Sequence, residues 1–190
     1  MKHRDIALLV DRLLSKAKVN APPVPVHAIA KSYGIVVRSG PLPDDLSGFL
    51  VHEGDRTVIG VNSRQAKPRQ AFTLAHEMGH FFLHPRSNFV DRQLIYFRDS
   101  KSAAATDLRE IQANDFAANL LMPERFLYAL LRDRTVDLED DEFLTEFASK
   151  FGVSTQALTF RLINLNLTHQ TRRRNVAHSP LSQVSRSRRA

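Results

Sequence analysis

Apolar residues recur at helical spacing near the start of the chain, which predicts an amphipathic helix over residues 4–18. Prolines then interrupt the pattern, and the short helix VHAIAKSY is expected to end at Gly34, because glycine is a typical residue just after a helix. The segments IVVRS, SGFLVH and TVIGVN have the composition of strands, and EGDR between the last two is typical of a hairpin turn. Together they predict one small antiparallel sheet.

Helical periodicity returns after this sheet. Pro68 suits a first helical position, and the helix that it opens is expected to run to about His84, just before Pro85. A long loop that contains QLIYF follows, and the next helix is expected to begin near Thr106. The remaining expected helical segments are FLYALLRD, 139–150 and 154–165. Several helices around one small sheet make the predicted fold class α+β.

The charge of the chain is concentrated at its end. The sequence has 27 Lys plus Arg against 20 Asp plus Glu, for a formal net charge of +7. Six arginines lie in residues 169–190, which contain no acid, so the rest of the chain holds 21 basic against 20 acidic residues. This tail is rich in Ser and Arg, which predicts a disordered segment that stays solvated without a partner. The alternatives are weak, non-specific binding of nucleic acid and binding of an acidic partner. The nearly neutral core is not expected to bind DNA directly.

The absence of cysteine narrows the possible chemistry. It excludes disulfides, thiolate zinc sites, iron–sulfur clusters and Cys nucleophiles, and it suits a reducing compartment. The apolar run near the N-terminus is broken by Asp11 and Arg12, so we expect neither a signal peptide nor a membrane span. These observations predict a cytoplasmic protein with no membrane partner. A metal in this chain must be held by imidazole and carboxylate groups.

The pentapeptide HEMGH at positions 76–80 carries the clearest chemical signal. On a helix, His76 and His80 lie on one face about 6 Å apart along the axis, close enough to bind one ion. Imidazole is a good zinc ligand, and zinc held by three protein ligands activates a water as nucleophile. Glu77 flanks the same face and can act as the base for that water. The spacing therefore predicts metal-assisted hydrolysis; the alternative is two histidines paired with surface acids.

The third ligand must come from another segment. His84 lies about 12 Å from His76 along the helix axis, too far to share an ion, and is expected to pack behind the site or support its ligands. On the next long helix, Glu110 and Asn114 share a stripe with small residues that would allow a close approach to the HEMGH helix. Glu110 can then supply a carboxylate, and the Asn114 carbonyl can accept the free imidazole N–H of a ligand. Alternatively, Glu110 is an exposed acid in the first turn of its helix, which leaves three rival ligands: Asp107, Asp115 and Glu124.

Two separated motifs resemble a known family. FTLAHEMGHFFLHP followed by EIQANDFAANLLMP is similar to the paired signature of the ImmA/IrrE-type metallopeptidases. Further similar segments, including VPVHAIAKSYGI and ASKFGVSTQALTFRLINLNL, extend the resemblance over about residues 20–168. Members of this family often carry an acid where Gln112 stands here, but Gln112 is two residues from Glu110 and is expected to point elsewhere.

The resemblance implies both a site and a substrate. The site would be a gluzincin-like zinc centre, although manganese accepts the same ligand types. The implied substrate is a helix-turn-helix (Xre-type) transcriptional repressor, often encoded nearby, whose cleavage derepresses stress-response or mobile-element genes. The implied residues are His76, His80 and Glu110 as metal ligands, Glu77 as catalytic base, and Asn114 behind the ligands.

The end of the globular part is typical of a helix-turn-helix, with Gly152 in the turn and Ser154 capping the second helix. Phosphate contacts dominate affinity for duplex DNA, but six acids lie in residues 137–146, and Arg161 is the one basic residue of the second helix. We therefore expect this pair to pack on the core. The expected domains are an N-terminal helix (1–20), a metallopeptidase core (21–135), a helix-turn-helix-like helical subdomain packed on the core (136–168) and the disordered basic tail (169–190).

Two other functional hypotheses come from different classes. One is a non-catalytic module that keeps a metal for stability and acts by binding a partner regulator; the other is a DNA-binding regulator. Glu77 favours the enzyme, because a purely structural metal site needs no base. No single residue is indicated as the donor that would stabilise the developing oxyanion; the unranked candidates are Tyr96, Tyr128, Arg161 and His169.

Overall fold

The computed structural model describes residues 1–85, 89–92, 104–132 and 136–167, without the side chains of 89–92 and 104–107. The helices are α1 (His3–Lys16), α2 (Val26–Ser32), α3 (Lys67–Leu83), α4 (Ala104–Leu121), α5 (Glu124–Leu131), α6 (Asp141–Phe151) and α7 (Thr155–Asn164). The strands are β1 (Ile35–Gly40), β2 (Leu46–Glu53), β3 (Arg56–Asn62) and β4 (Phe89–Arg92). The predicted α+β class is confirmed.

The sheet has the order β1-β3-β2-β4 and is mixed. β2 runs antiparallel to β3, as expected for a hairpin with EGDR in its turn, and it also runs antiparallel to β4. β1, by contrast, pairs with β3 in parallel. The expectation of a wholly antiparallel sheet is therefore wrong for β1. The connection from β1 to β2 crosses the end of β3, where the Asn62 side chain accepts from the Leu42 N–H (3.3 Å) and donates to the Pro43 and Leu46 carbonyls (3.2 and 2.8 Å). This side chain satisfies several backbone groups of the crossing segment.

β4 lies in a segment that the sequence pattern assigns to a loop. Its residues Phe89, Val90 and Asp91 pair with Leu50, Phe49 and Gly48 of β2, respectively. Four residues are too few to produce a recognisable alternation, and their pairing depends on a strand that is distant in sequence. The QLIYF segment lies outside the described residues.

Helix α3 is packed between the sheet and α4, and a glycine permits each contact. A Cβ atom at Gly79 would lie 3.0 Å from the Ala113 Cα atom of α4 and 3.2 Å from the Phe116 Cβ atom. On the other side, a Cβ atom at Gly48 of β2 would lie 2.4 Å from the Thr73 Cγ2 atom of α3. The close approach of α3 and α4 through small residues agrees with the sequence-based expectation. The segment 73–80 is consequently buried throughout.

Helix α6 packs against α7, and α7 contacts the C-terminal end of α4. Ser154 caps α7 by accepting from the Ala157 N–H (3.2 Å), and Gly152 ends α6 in the left-handed region with φ of 67°. Arg161 on α7 is 3% exposed and donates to the Met122 carbonyl (3.2 Å) and the Asn119 Oδ1 atom (2.8 Å). Burial lowers the pKa of its guanidinium, whereas nearby carboxylates raise it.

The proposed division of the chain into four segments stays a prediction, and the tail 169–190 lies outside the described residues. In the described part of the chain, no helix is both long enough and apolar enough to cross a membrane.

Candidate metal centre

The HEMGH segment forms the third and fourth turns of α3 and is almost completely buried. His76, Glu77 and His80 are 4%, 0% and 1% exposed. Burying three ionisable side chains is costly unless they are paired or bind an ion, so this cluster is the first candidate for a functional site.

Glu110 of α4 faces the two histidines across the helix interface. The Nε2 atoms of His76 and His80 are 3.0 Å apart. The two carboxylate oxygens of Glu110 lie 3.1 Å from the His76 Nε2 atom and 3.3 Å from the His80 Nε2 atom. Among the residues whose side chains are described, these three form a group of potential metal ligands whose donor atoms lie within 4.8 Å of one another.

These distances fit a tetrahedral zinc site. Ligand bonds of about 2.0–2.1 Å place the donor atoms of a tetrahedron about 3.3–3.4 Å apart. The two imidazole nitrogens are 3.0 Å apart, and each lies 3.1 or 3.3 Å from a different oxygen of the Glu110 carboxylate, which is close to that value. With one donor atom per residue, the three atoms lie within 4.8 Å of one another, so the group is compact enough to hold one ion. Two imidazole nitrogens and one carboxylate also form a common three-residue ligand set for catalytic zinc, which leaves a fourth position open. Nitrogen and oxygen donors of this kind accept manganese as well.

Asn114 fixes the orientation of one imidazole. Its Oδ1 atom lies 3.0 Å from the His76 Nδ1 atom, so the imidazole N–H donates to the amide carbonyl. A neutral imidazole that donates through Nδ1 carries its lone pair on Nε2, which is the atom that faces His80 and Glu110. The structure thus brings Asn114 behind His76, where the sequence pattern places it.

Glu110 is ionised at neutral pH. Burial raises the pKa of this carboxyl, but hydrogen bonds and charge interactions with His76 and His80 outweigh burial and lower the pKa to about 2. A carboxylate in this state is ready to bind a cation without first losing a proton.

Glu77 lies on the side of α3 that faces the sheet. A Cβ atom built at Gly48 of β2 would be 3.7 Å from the Glu77 Oε1 atom. The same Cβ atom would be only 2.4 Å from the Thr73 Cγ2 atom, so the glycine allows the Thr73–Glu77 side of α3 to pack against β2, and the sequence pattern did not identify it. The signal was available, because an isolated glycine in a strand often marks a close backbone approach.

His84 is the residue after α3 and belongs to the surroundings of the site. Its ring centroid is 5.7 Å from that of His80. Burial and the charge of His80 lower the pKa of His84, whereas a hydrogen bond with the backbone of Arg109 raises it. His84 does not belong to the three-residue group of potential ligands among the described side chains, and its role as a residue that packs near the site or supports its ligands stays a prediction.

Other acids and Gln112 contact different groups. Gln112 donates from its Nε2 atom to the Met1 carbonyl (2.7 Å), so it points away from Glu110. Asp115, a rival ligand, lies 2.7 Å from the His3 Nδ1 atom. Glu124 is in the exposed first turn of α5, and the side chain of Asp107 lies outside the description.

Of the four candidate oxyanion donors, the two that the structure describes are not brought to the cluster. Tyr96 and His169 lie outside the described residues. Tyr128 is 42% exposed on α5, and the two described hydrogen bonds of Arg161 go to the C-terminal end of α4.

Comparisons with known proteins agree with this architecture. Residues 30–163 match the model of the family described as Peptidase M78, IrrE N-terminal-like domain. The chain is 30% identical over 119 residues to "Uncharacterized immunity region protein 2" of Bacillus phage phi105, which corresponds to 63% of this chain and 69% of that protein. A solved structure titled "Mycobacterium tuberculosis transcriptional regulator" is similar with a TM-score of 0.58 and 21% identity, over 90% of this chain and 48% of that one.

This chain therefore spans about half the length of that solved structure, and the likeness shows the fold alone. The family match is more informative, because residues 30–163 include both the HEMGH segment and Glu110. On this evidence the chain belongs to the Peptidase M78 family of IrrE N-terminal-like domains.

Proposed function

We propose that this protein is a metal-dependent endopeptidase in which His76, His80 and Glu110 hold a divalent ion and Glu77 is the catalytic base. Zn²⁺ is the proposed ion, with Mn²⁺ as the alternative. The observation that carries the proposal is the convergence of three potential ligands, whose donor atoms lie within 4.8 Å of one another, beside a buried carboxylate in a chain of a peptidase family.

The described residues would divide the work of peptide hydrolysis. A bound divalent ion supplies Lewis-acid activation of the peptide carbonyl and of water. Glu77 takes a proton from the attacking water and passes it to the leaving amine. Asn114 keeps the His76 ring in the tautomer that presents its Nε2 atom to the other two ligands. The low pKa of Glu110 keeps its carboxylate ionised while Glu77 transfers the proton.

The proposed substrate is a helix-turn-helix (Xre-type) transcriptional repressor encoded near this protein, cut in the cytoplasm to switch on stress-response or mobile-element genes. The name of the phage relative, an immunity region protein, supports a regulatory setting. The resemblance of the paired motifs to ImmA/IrrE-type metallopeptidases supports the same substrate class.

The decisive experiment compares the protein with its Glu77→Gln variant, which keeps the size of the buried side chain. Each protein is loaded with Zn²⁺ and incubated with the repressor encoded by the neighbouring gene. We expect the parent to cut the repressor, a chelator to stop the cut and added Zn²⁺ to restore it. General-base removal typically costs about 10²–10⁴-fold in rate, so the variant should keep its fold and its zinc but cut at least about 100-fold more slowly.

A matched control is Glu142→Gln, which makes the same change on the exposed surface of α6. It should cut like the parent. Equal cleavage by Glu77→Gln would refute the assigned base. Tight binding of the repressor by the parent, without a cut, would support the second hypothesis of a non-catalytic regulatory module.

A further inference from the structure

Arg69 lies on the same face of α3 as the candidate metal ligands. It precedes His76 by seven residues, which is almost two full helical turns and about 10 Å along the axis. Along this face, the side chains change from the buried histidines through the half-buried Phe72 to the exposed Arg69. This face of α3 therefore runs from the candidate metal centre to solvent, and the positively charged Arg69 side chain lies at its exposed end.

The Arg69 side chain is held against β2. Its Nη2 atom donates to the Ser47 Oγ atom (3.0 Å), and the Gln65 Nε2 atom donates to the same oxygen (3.1 Å). Ser47 is fully buried, and it lies at a shift in the register between β2 and β4, where a bulge can turn a side chain away from its regular direction. The next residue, Gly48, is the one beside Glu77. The guanidinium is thus bound to the strand residue that precedes Gly48.

The charge of Arg69 is not neutralised by a described carboxylate. Arg64, by comparison, lies 3.5 Å from an Asp44 carboxylate oxygen, whereas none of the ion pairs between described side chains includes Arg69. One N–H of its guanidinium is used on Ser47, and its Cζ atom lies 6.0 Å from the Phe72 ring centroid. A guanidinium has five N–H donors in a planar fork that matches a carboxylate, so donors remain for a ligand.

We propose that Arg69 determines substrate specificity by binding a carboxylate of the substrate, within about three residues of the scissile bond. An extended peptide advances about 3.3 Å per residue, so the distance of about 10 Å along α3 corresponds to about three residues. The carboxylate belongs to an Asp or Glu side chain or to the C-terminus of the peptide. This inference rests on the proposed peptidase function and adds a substrate class to it.

The test uses the full-length zinc-loaded protein and a library of random peptides, made with free and with amidated C-termini. Cleavage sites are identified by mass spectrometry. We expect Asp and Glu to be enriched at one position within three residues of the cut, the enrichment to disappear in Arg69→Gln, and Lys or Arg to replace it in Arg69→Glu. A preference confined to the peptides with a free C-terminus would assign the terminal carboxylate.

The matched control is Arg56→Gln, an exposed arginine at the far end of the β2–β3 hairpin. Arg56 is opposite Glu53, five strand residues or about 17 Å from Gly48, and this variant should keep the acidic preference of the parent.

A second measurement separates binding from a merely structural role. For a peptide with the preferred acid, Arg69→Gln should raise KM by about tenfold or more, as expected for a hydrogen bond to a charged group, with the loss falling on KM rather than kcat. Direct titration of the same peptide into Glu77→Gln, with and without Arg69→Gln, should show a similar loss of affinity without any cut.

The outcomes are distinguishable. Cleavage by the parent without an acidic preference, or with one that Arg69→Gln leaves intact, overturns this inference and leaves the peptidase standing. If the parent cuts neither the library nor the repressor, the proposed function fails and the inference fails with it.

Discussion

The contact between Gly79 and α4 sets the distance between the candidate ligands, so we expect Gly79→Ala to weaken metal binding more than it weakens the fold. The added Cβ atom would lie 3.0 Å from the Ala113 Cα atom, 3.1 Å from the Ala113 carbonyl oxygen and 3.2 Å from the Phe116 Cβ atom. Two of these three atoms are backbone, which cannot rotate away. Since ordinary contacts begin near 3.4 Å, α3 and α4 must separate by about 0.4 Å, and Glu110 must move away from His76 and His80 by a similar amount.

The two effects of this substitution differ in size. Replacing a helical glycine by alanine gains about 1 kcal/mol of helix stability, whereas overpacking a core costs about 1–3 kcal/mol, so the net loss of unfolding free energy should be about 0–2 kcal/mol. A shift of about 0.4 Å, however, exceeds the tolerance of about 0.2 Å for bonds to a metal, and changes to the support of a ligand typically cost about 10–100-fold in affinity. We therefore expect the Kd for Zn²⁺ to rise at least about tenfold.

The assay is competition for Zn²⁺ against a chromogenic chelator, with urea unfolding of the metal-free protein measured alongside. Gly40→Ala is the control, because a Cβ atom at Gly40 meets nothing within 4 Å. It should leave both quantities near those of the parent. Unchanged zinc affinity in Gly79→Ala would refute the argument that this contact sets the ligand spacing. A large loss of unfolding free energy with unchanged affinity for Zn²⁺ would show that α3 and α4 accommodate the added methyl group by a change away from the metal ligands.

Two further predictions concern the support of the ligands and the edge of the sheet. Asn114→Leu removes the acceptor of the His76 imidazole N–H without a large change in side-chain size, so it should raise the Kd for Zn²⁺ about 10–100-fold in the same chelator assay. Asn114→Asp keeps an acceptor oxygen and should retain zinc binding. A zinc affinity of the Leu variant equal to that of the parent would contradict the positioning role of Asn114. Strand β4 covers the edge of β2, beside the fully buried Glu77, and either Val90 or Asp91 must donate its N–H to β2. Proline at that position removes the donor, so Val90→Pro or Asp91→Pro should uncover the edge of β2 and raise the rate of peptide cleavage severalfold. A fall in the rate would show that the substrate pairs with β4 itself.

Much of the candidate site could be predicted from the sequence, because two of its three proposed ligands lie on one helix. The separation of His76 and His80 is set by the period of one helix, so their common face required no tertiary information. Glu110 is 30 residues further along the chain, and its placement rested on the expectation that small residues bring its helix close. The contact of Gly79 with Ala113 bears out that packing, and the distances between Glu110 and the histidines follow from it.

The sheet could not be predicted to the same extent, because strand pairing depends on contacts between distant residues. The hairpin of β2 and β3 has a local turn signal, but β1 has none that selects its partner or its direction. The Asn62 side chain bonds the backbone of the segment that leads from β1 to β2, but a single polar residue at the end of a strand gives no indication of this in sequence. β4 could not be predicted for a related reason: its partner strand β2 precedes it in the chain, and the whole of α3 lies between the two.

The positions of the two important glycines suggest how one helix can serve two chemical roles. Gly48 lies against the side of α3 that carries Glu77, and Gly79 lies against the side that meets the helix of Glu110. The proposed base therefore lies on the side of α3 that packs on the sheet, and the proposed third ligand comes from α4. Because these contacts lie on different sides of α3, a change at the sheet should alter proton transfer with little effect on metal affinity, whereas a change at the α4 contact should alter metal affinity first. The rigid element between them carries two of the three ligands, so a bound ion would in turn hold α3 and α4 together at the spacing that Gly79 allows.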